Sequence, residues 1–326
     1  MRLQNFLLVC LACLGGLQSS AWAQAQSYPT KAIRWIVPYS IAGASDNAAR
    51  LMAVRFAALL GQEIVVENKA GAGGMVGTDL VAKAAPDGYT MVWGGSNALA
   101  GSVTLQKNMP YSALKDFAPV CRVGVISYVL VANPALGVKS VSELIALVKA
   151  SPQTLAYASP GNGGASHLSM ELFQNRTNTN FLNVQYKGSS PGVNDLLAGH
   201  VPLMFESVGA VGQHVLSGKL VALTSSSAKR LQGLPEVPTM QELGYQDFLV
   251  QGWAGILFPA GTPPPVVKRM TEACRTVLAQ PDVQDVMLRQ QGWEVDYLDP
   301  EGFGAFINAE VSNWARMLAI SKVNIE

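Results

Sequence analysis

Residues 37–60, VPYSIAGASDNAARLMAVRFAALL, decide how the rest of the chain is read. An apolar, β-branched run (AIRWIVPY, 32–39) stops at a loop of mostly small residues, Ser40-Ile41-Ala42-Gly43-Ala44-Ser45. A helical pattern follows from Asp46 to Leu60, with Leu51, Met52, Val54, Leu59 and Leu60 on or near its apolar side. Where a strand runs through such a loop into a helix, the first backbone N–H groups have no intrahelical acceptor and sit at the positive end of the helix dipole. The loop is therefore either a plain connector or a cradle for an anion.

Working outward, the same alternation recurs. EIVVEN (63–68) and TMVWGG (90–95) read as strands around a helix at 75–84 that ends in the turn PDGY. After YVLVANP (128–134) the pattern restarts, with strands at 154–159, 183–188, 201–207 and 220–227 and helices at 140–150, 166–176, 191–198 and 209–217. A strand from Trp253, a Pro-rich turn and helices around 281–291 and 300–320 close the chain. Alternating strands and helices predict parallel sheets covered by helices. A length of 326 residues is comfortable for two lobes.

Hydrophobic residues make up 49% of the chain, charged residues 14%, and the formal net charge is +1. A nucleic-acid binder needs concentrated Lys and Arg to neutralise phosphates, so that class is excluded. Residues 1–23 read as a signal peptide: Arg2, an apolar run from Phe6 to Leu14, and the small-x-small motif Ala21-Trp22-Ala23. Cleavage near Ala23 would release an exported protein. Cys10 and Cys13 raise lipid modification, but the small residues such processing wants before the Cys are incomplete. Cys121 and Cys274 are the mature chain's two cysteines, and two readings stand: a disulfide, or two buried thiols.

The opening loop has counterparts. ASPGNGGASH (158–167) lies at the same strand–loop–helix junction in the second half, and QYKGSSPG and WGGSNALAGS are further examples. In open α/β sheets ligands sit off the carboxyl ends of strands, where these loops fall. Catalytic constellations are missing. His167, His200 and His214 have no metal-binding spacing, and neither a G-x-S-x-G elbow nor a complete dinucleotide or P-loop fingerprint is present. No metal or cofactor is expected. A hydrolase using Ser159 or Ser166 with His167 is the rival reading, but neighbours on one helix point about 100° apart. His167 is read either as a ligand donor or as a cap, Asp46 as a helix-terminal charge or a loop organiser. Glu206, on an apolar strand, needs a partner if buried, and Lys187 is the simplest one.

YPTKAIRWIVPYSIAGASDNAARLMA, with LGQEIVVENKAGAGGMVGTDLVAKAAPDGYTM, strongly resembles the Bug receptors, the periplasmic solute-binding proteins of tripartite tricarboxylate transport systems. The likeness continues through LAYASPGNGGASHLSMELF, VQYKGSSPGVNDLLAGHVPLMFES and GWAGILFPAGTPPPVVKRM, over essentially the whole mature chain. It implies an α/β, two-lobed periplasmic binding protein (type II, Venus flytrap), each lobe a mainly parallel sheet flanked by helices. The expected division is 24–126 for lobe 1, 127–249 for lobe 2 and 250–326 returning to lobe 1.

The resemblance also implies a carboxylate held in the cleft, largely by backbone N–H groups. Carried onto this chain, the site comprises Tyr39, Ser40, Ile41, Ala42, Gly43, Ser45 and Asp46 in the first loop. Ser159, Gly161, Gly163, Gly164, Ala165, Ser166 and His167 form the second. Ser96, Asn97, Tyr186, Lys187, Gly188, Glu206 and Ser207 line the remainder. Family members usually read Pro-Gly-Gly where this chain has Ile41-Ala42-Gly43, which puts the loop's shape and ligand choice in question. The expected partners are a small mono-, di- or aromatic carboxylate and the membrane permease subunits, the receptor acting as a monomer. An orphan sensor built on the same flytrap is a further alternative.

Overall fold

The structure, a computed structural model, describes residues 28–150, 155–161 and 163–321. The signal peptide and the cleavage expected near Ala23 lie outside these residues.

β1 (Ile33–Val37) alternates as a buried strand should, sending Ile33, Trp35 and Val37 to one side and Ile36 to the other. α1 (Ala44–Leu60) follows and buries Ala48, Ala49, Met52, Ala53, Phe56 and Leu60 against that layer. Val54 and Leu59, expected on this face, are 68% and 39% exposed. The 100° step per residue turns Val54 to the far side and Leu59 to the edge of the stripe. β2 (Ile64–Asn68) and β3 (Thr90–Gly95) flank β1 in parallel, with α2 (Met75–Ala82) crossing between them. Trp35, Phe56, Trp93 and Trp293 form a chain of aromatic contacts, ring centroids 5.5–5.8 Å apart. Truncating one such buried aromatic to alanine costs about 3–5 kcal/mol.

β4 (Phe117–Ala132) is the longest strand and belongs to both sheets. Its first part, Phe117–Ser127, pairs with β9 (Gln251–Pro259) and β10 (Trp293–Leu298); Tyr128–Ala132 pairs with β7 (Leu203–Ser207) and β8 (Val221–Ser225). In the second sheet α3 (Val141–Ala150) leads to β5 (Ala156–Ser159), which lies parallel to β6 (Leu182–Gln185) and β7, connected by α4 (Ala165–Thr177) and α5 (Ser189–Ala198). The strand order is β2-β1-β3-β9-β4-β7-β5-β6, with β10 and β8 also on β4. α6 (Val208–Leu216), α7 (Pro264–Leu278), α8 (Pro281–Gln291) and α9 (Pro300–Ser321) complete the helical layers.

The two-lobed α/β architecture is as expected, but parallel pairing holds only for the part of each sheet built from β-α-β units. Every pair involving β4 or β9 is antiparallel. The reason is connectivity: β4 carries the chain out to the second sheet and β9 brings it back, so they run in opposite directions. Phe117–Ser127 and β10 were not expected as strands; β10 is a six-residue run between two helices. At the crossing, Ser226 Oγ donates to the carbonyls of Tyr128 (3.2 Å) and Val250 (2.6 Å), and Gln251 Nε2 donates to Ser127 Oγ at 3.1 Å.

Cys121 of β4 and Cys274 of α7 are joined by a disulfide, which decides between the two readings of these cysteines.

Candidate functional site

All five groups of candidate residues lie at the carboxyl ends of strands: Tyr39–Asp46 after β1, Ser96–Asn97 after β3, Ser159–His167 after β5, Tyr186–Gly188 after β6 and Glu206–Ser207 closing β7. Parallel pairing of β1 with β3, and of β5 with β6 and β7, makes each set contiguous within its sheet.

The first loop is braced from within. Ala42 adopts φ +61°, a left-handed conformation unusual for a residue with a Cβ. Its N–H donates to Asp46 Oδ2 at 2.8 Å. Asp46 is 1% exposed and also accepts from Asn68 Nδ2 (2.9 Å) and Arg50 Nε (3.0–3.1 Å). Burial raises the Asp46 carboxyl, but the Arg50 guanidinium, the Ala42 N–H and the Asn68 amide outweigh it and hold it below the usual range. Asp46 is thus the loop's organiser, and Ile41 stands at the rim, 72% exposed.

The second loop repeats the device. Gly163 has φ +70°, and its N–H donates to His167 Nδ1 at 3.0 Å. With Nδ1 accepting, the ring is neutral, and burial pushes its pKa down to about 4. The helix N-caps match as well: Gly43 at φ −78°, ψ 168° and Gly164 at φ −76°, ψ 166°. Ala44 and Ser45, and Ala165 and Ser166, then open their helices with N–H groups that have no intrahelical acceptor. Side chains behave differently. Ser166 Oγ donates to the Phe205 carbonyl and Ser159 Oγ to that of Gly161 (3.2 Å), so neither serine is paired with His167 as the hydrolase reading requires.

The remaining candidates separate. Asn97 Nδ2 donates to the Gly73 carbonyl at 2.9 Å, and the π-helical turn it opens (Asn97–Gly101) follows the buried Ser96. The Tyr186 hydroxyl donates to Asp195 of its own lobe at 2.8 Å, while Gly188 N–H donates to the Pro160 carbonyl, tying this loop to the second one. Lys187 is exposed and does not pair with Glu206, correcting that expectation. Glu206 is 2% exposed; Ser189 Oγ donates to its Oε2 at 2.8 Å and the Ser207 N–H to its Oε1 at 2.7 Å. Burial pushes this carboxyl up despite those donors.

Three residues were missed. Tyr128, on the crossing strand, pairs in register with Ser207, and burial, then the charges of Glu206 and Tyr39, raise its hydroxyl above the usual phenol range. The only hint was a phenol at the head of an apolar run. Gly74 and Gly95 make room for the Tyr39 ring: a Cβ on Gly95 would lie 2.4 Å from the Tyr39 hydroxyl oxygen. A close approach of this kind leaves no mark in a single sequence. Gly163 meets Leu105 of the short helix Ser102–Leu105, a contact between the lobes. A cavity of about 590 Å³ lies elsewhere, between α6 and α8, and shares no residue with the candidate loops.

Two lobes joined by crossing strands, with ligand-type loops at facing strand ends, define a two-lobed solute-binding protein. The profile described as the tripartite tricarboxylate transporter family receptor matches residues 48–324, and the chain belongs to that family. It is similar to BugT of Bordetella pertussis, 40% identical over 297 residues and 91% of each chain. The structure of periplasmic binding protein BugD matches at a TM-score of 0.83 and 35% identity over 91% of this chain and 99% of that one. R. palustris Rpa4515 with adipate matches at 0.85 and 30% identity over 90% and 98%.

Proposed function

We propose that the chain is an extracytoplasmic receptor that closes on a small carboxylate and delivers it to the permease subunits of a tripartite tricarboxylate transporter. The observation that carries this reading is the pair of loops with matching backbone, one in each lobe, each opening a helix of 13 residues or more. Their internal braces, Asp46 and His167, take the N–H groups of Ala42 and Gly163 and leave those of Ala44, Ser45, Ala165 and Ser166 for an anion. An anion held by donors from both lobes stabilises the closed arrangement over the open one. The adipate bound by Rpa4515 supports the ligand class.

The reading places lobe boundaries near 126/127 and 249/250, and the change of β4 partners at Ser127–Tyr128 and the start of β9 at Gln251 support it. Export through a leader cleaved near Ala23, followed by work as a monomer, completes the proposal; the disulfide supports an oxidising compartment.

The test is thermal unfolding of the mature protein against carboxylates, with the matching amides as controls. A ligand at about a thousand times its Kd adds roughly 4 kcal/mol. A shift with an acid and none with its amide supports the reading. A folded, ligand-free protein that responds to no acid overturns it.

A further inference from the structure

Two glycines meet where the candidate site passes from one sheet to the other. Gly209 stands two residues after Ser207, at the start of α6. Gly292 ends α8 at φ +72° and leads directly into β10, the strand paired with the first part of β4. A Cβ on Gly209 would lie 2.2 Å from the Gln291 carbonyl oxygen, and one on Gly292 would lie 2.4 Å from the Gly209 nitrogen. Both obstacles are main chain, so no change of rotamer relieves them. Capping accounts for the left-handed φ of Gly292 but not for this approach: Gly61 caps α1 at φ +69° with no neighbour within 4 Å of where its Cβ would stand. Beyond the two glycines the faces separate around the cavity of about 590 Å³, so the contact is a point and not a packed face. Trp293, next in the chain, is 4% exposed and pairs with Ile126 just before the crossing. Its Nε1 donates to the carbonyl of Ala44, the first residue of α1, at 3.3 Å.

We propose that Gly209 and Gly292 are the seat on which the two lobes close, and that Trp293 is the positioning residue that ties this seat to the first anion loop. The seat, which presupposes the receptor reading above, sets the distance between the two halves of the site. In the same arrangement Gly163 of the second loop touches Leu105 across the lobes, so the seat belongs to the state that brings both loops together. Donors fixed to two bodies share one anion only when the bodies stop at the right separation, within about 0.5 Å for a productive site. Cβ contacts under 3.0 Å are essentially unknown, and a methyl group on Gly209 would fall 0.8 Å short of that, so the lobes must part to admit it. Parting them lowers the population of the closed state and raises the apparent Kd in proportion. A methyl group on Gly292 also displaces the turn that carries Trp293, and with it the donor to Ala44.

Isothermal titration of the mature protein uses the acid that wild type binds most tightly among acetate, hexanoate, malate, adipate and benzoate. Gly209→Ala and Gly292→Ala are each expected to weaken that binding by about ten-fold or more. Two controls carry the same local changes without the contact. Gly61→Ala repeats the left-handed strain of Gly292, and Gly212→Ala adds a methyl group to α6 where its nearest neighbour is Val208 Cγ2 at 3.5 Å. Both controls are expected to stay within about two-fold of wild type. Trp293→Phe keeps a ring against Trp93 and removes the donor; it is expected to cost about five-fold, and the double variant with Gly292→Ala to lose less than the product of the two losses. A full product would overturn the role of Trp293. Hydrogen exchange on wild type needs no variant to fold: the bound acid is expected to slow exchange at 208–210 and 291–293 along with the two loops. Protected loops with those segments unchanged, or test variants that bind as the controls do, would overturn the seat and leave the receptor reading standing. If wild type binds none of these acids, the receptor reading falls and the seat falls with it.

Discussion

Ala42 and Gly163 occupy equivalent places in the two loops, and they differ in what holds them. Both take left-handed φ, both donate their N–H to a side chain four residues on, and both precede a glycine N-cap of the same extended geometry. In the first lobe the acceptor is a carboxylate tied to Arg50 and Asn68; in the second it is a neutral imidazole with Glu171 3.6 Å from its Nε2. One backbone shape is thus reached through a charge network on one side and through a buried base on the other. The shape is common to the two loops, and the brace varies.

The difference makes the loops respond differently to acid, the largest effect expected. His167 has its pKa lowered from 6.5 to about 4 because burial disfavours the charged ring. The unfolded chain therefore takes up a proton before the folded one does. Its contribution to stability is fully present above about pH 6.5 and is lost as pH falls towards 4, about 3 kcal/mol in all at about 1.4 kcal/mol per pH unit. Asp46, held low, contributes above the ordinary carboxylate range and loses its contribution only as pH falls through its own lower value. Urea denaturation of wild type and His167→Gln between pH 4 and 7 checks this, since the difference removes the opposing contribution of Glu171, whose carboxyl burial raises. Parallel profiles would break the contrast.

At neutral pH, Asp46→Asn should cost about 2.5 kcal/mol, because it removes a buried charge from Arg50 and turns an amide donor on either the Ala42 N–H or the Asn68 side chain. A loss below about 0.5 kcal/mol, the level of an ordinary surface change, would show the first loop standing without its brace. Gly163→Ala should cost about 2 kcal/mol from backbone strain and the displacement of Leu105. The mirror change, Ala42→Gly, should stabilise by only about 0.5 kcal/mol, because relief of strain is partly offset by the freedom glycine gains in the unfolded chain. Differential scanning calorimetry of the two variants together sharpens the comparison: opposite signs are expected, and equal signs would refute the equivalence.

Both loops were legible as strand–loop–helix junctions because small residues and helix patterning are local signals. Their braces were half legible. Asp46 and His167 were singled out, but a single sequence does not record which N–H a side chain turns back to meet. Glu206 was marked by its place on an apolar strand, yet the partner chosen for it, Lys187, was wrong, and Ser189 takes that place because its helix starts directly opposite. Tyr128 escaped because nothing local tells a phenol facing a cleft from one filling a core. The antiparallel half of each sheet was hidden for a different reason: the pairings of β4 with β9 join residues more than a hundred positions apart.

The bond between Cys121 and Cys274 spans 153 residues, and the closed ring it makes contains β5, β6, β7 and β8, the strands of the second sheet that follow β4. A ring of this size stabilises by about 5 kcal/mol in the chain-entropy view. It also changes what proteolysis does. A single cut anywhere between the two cysteines opens the ring without releasing a fragment, so the nicked protein stays one covalent molecule until it is reduced. The two lobes thus stay attached after an injury that would split an unlinked chain.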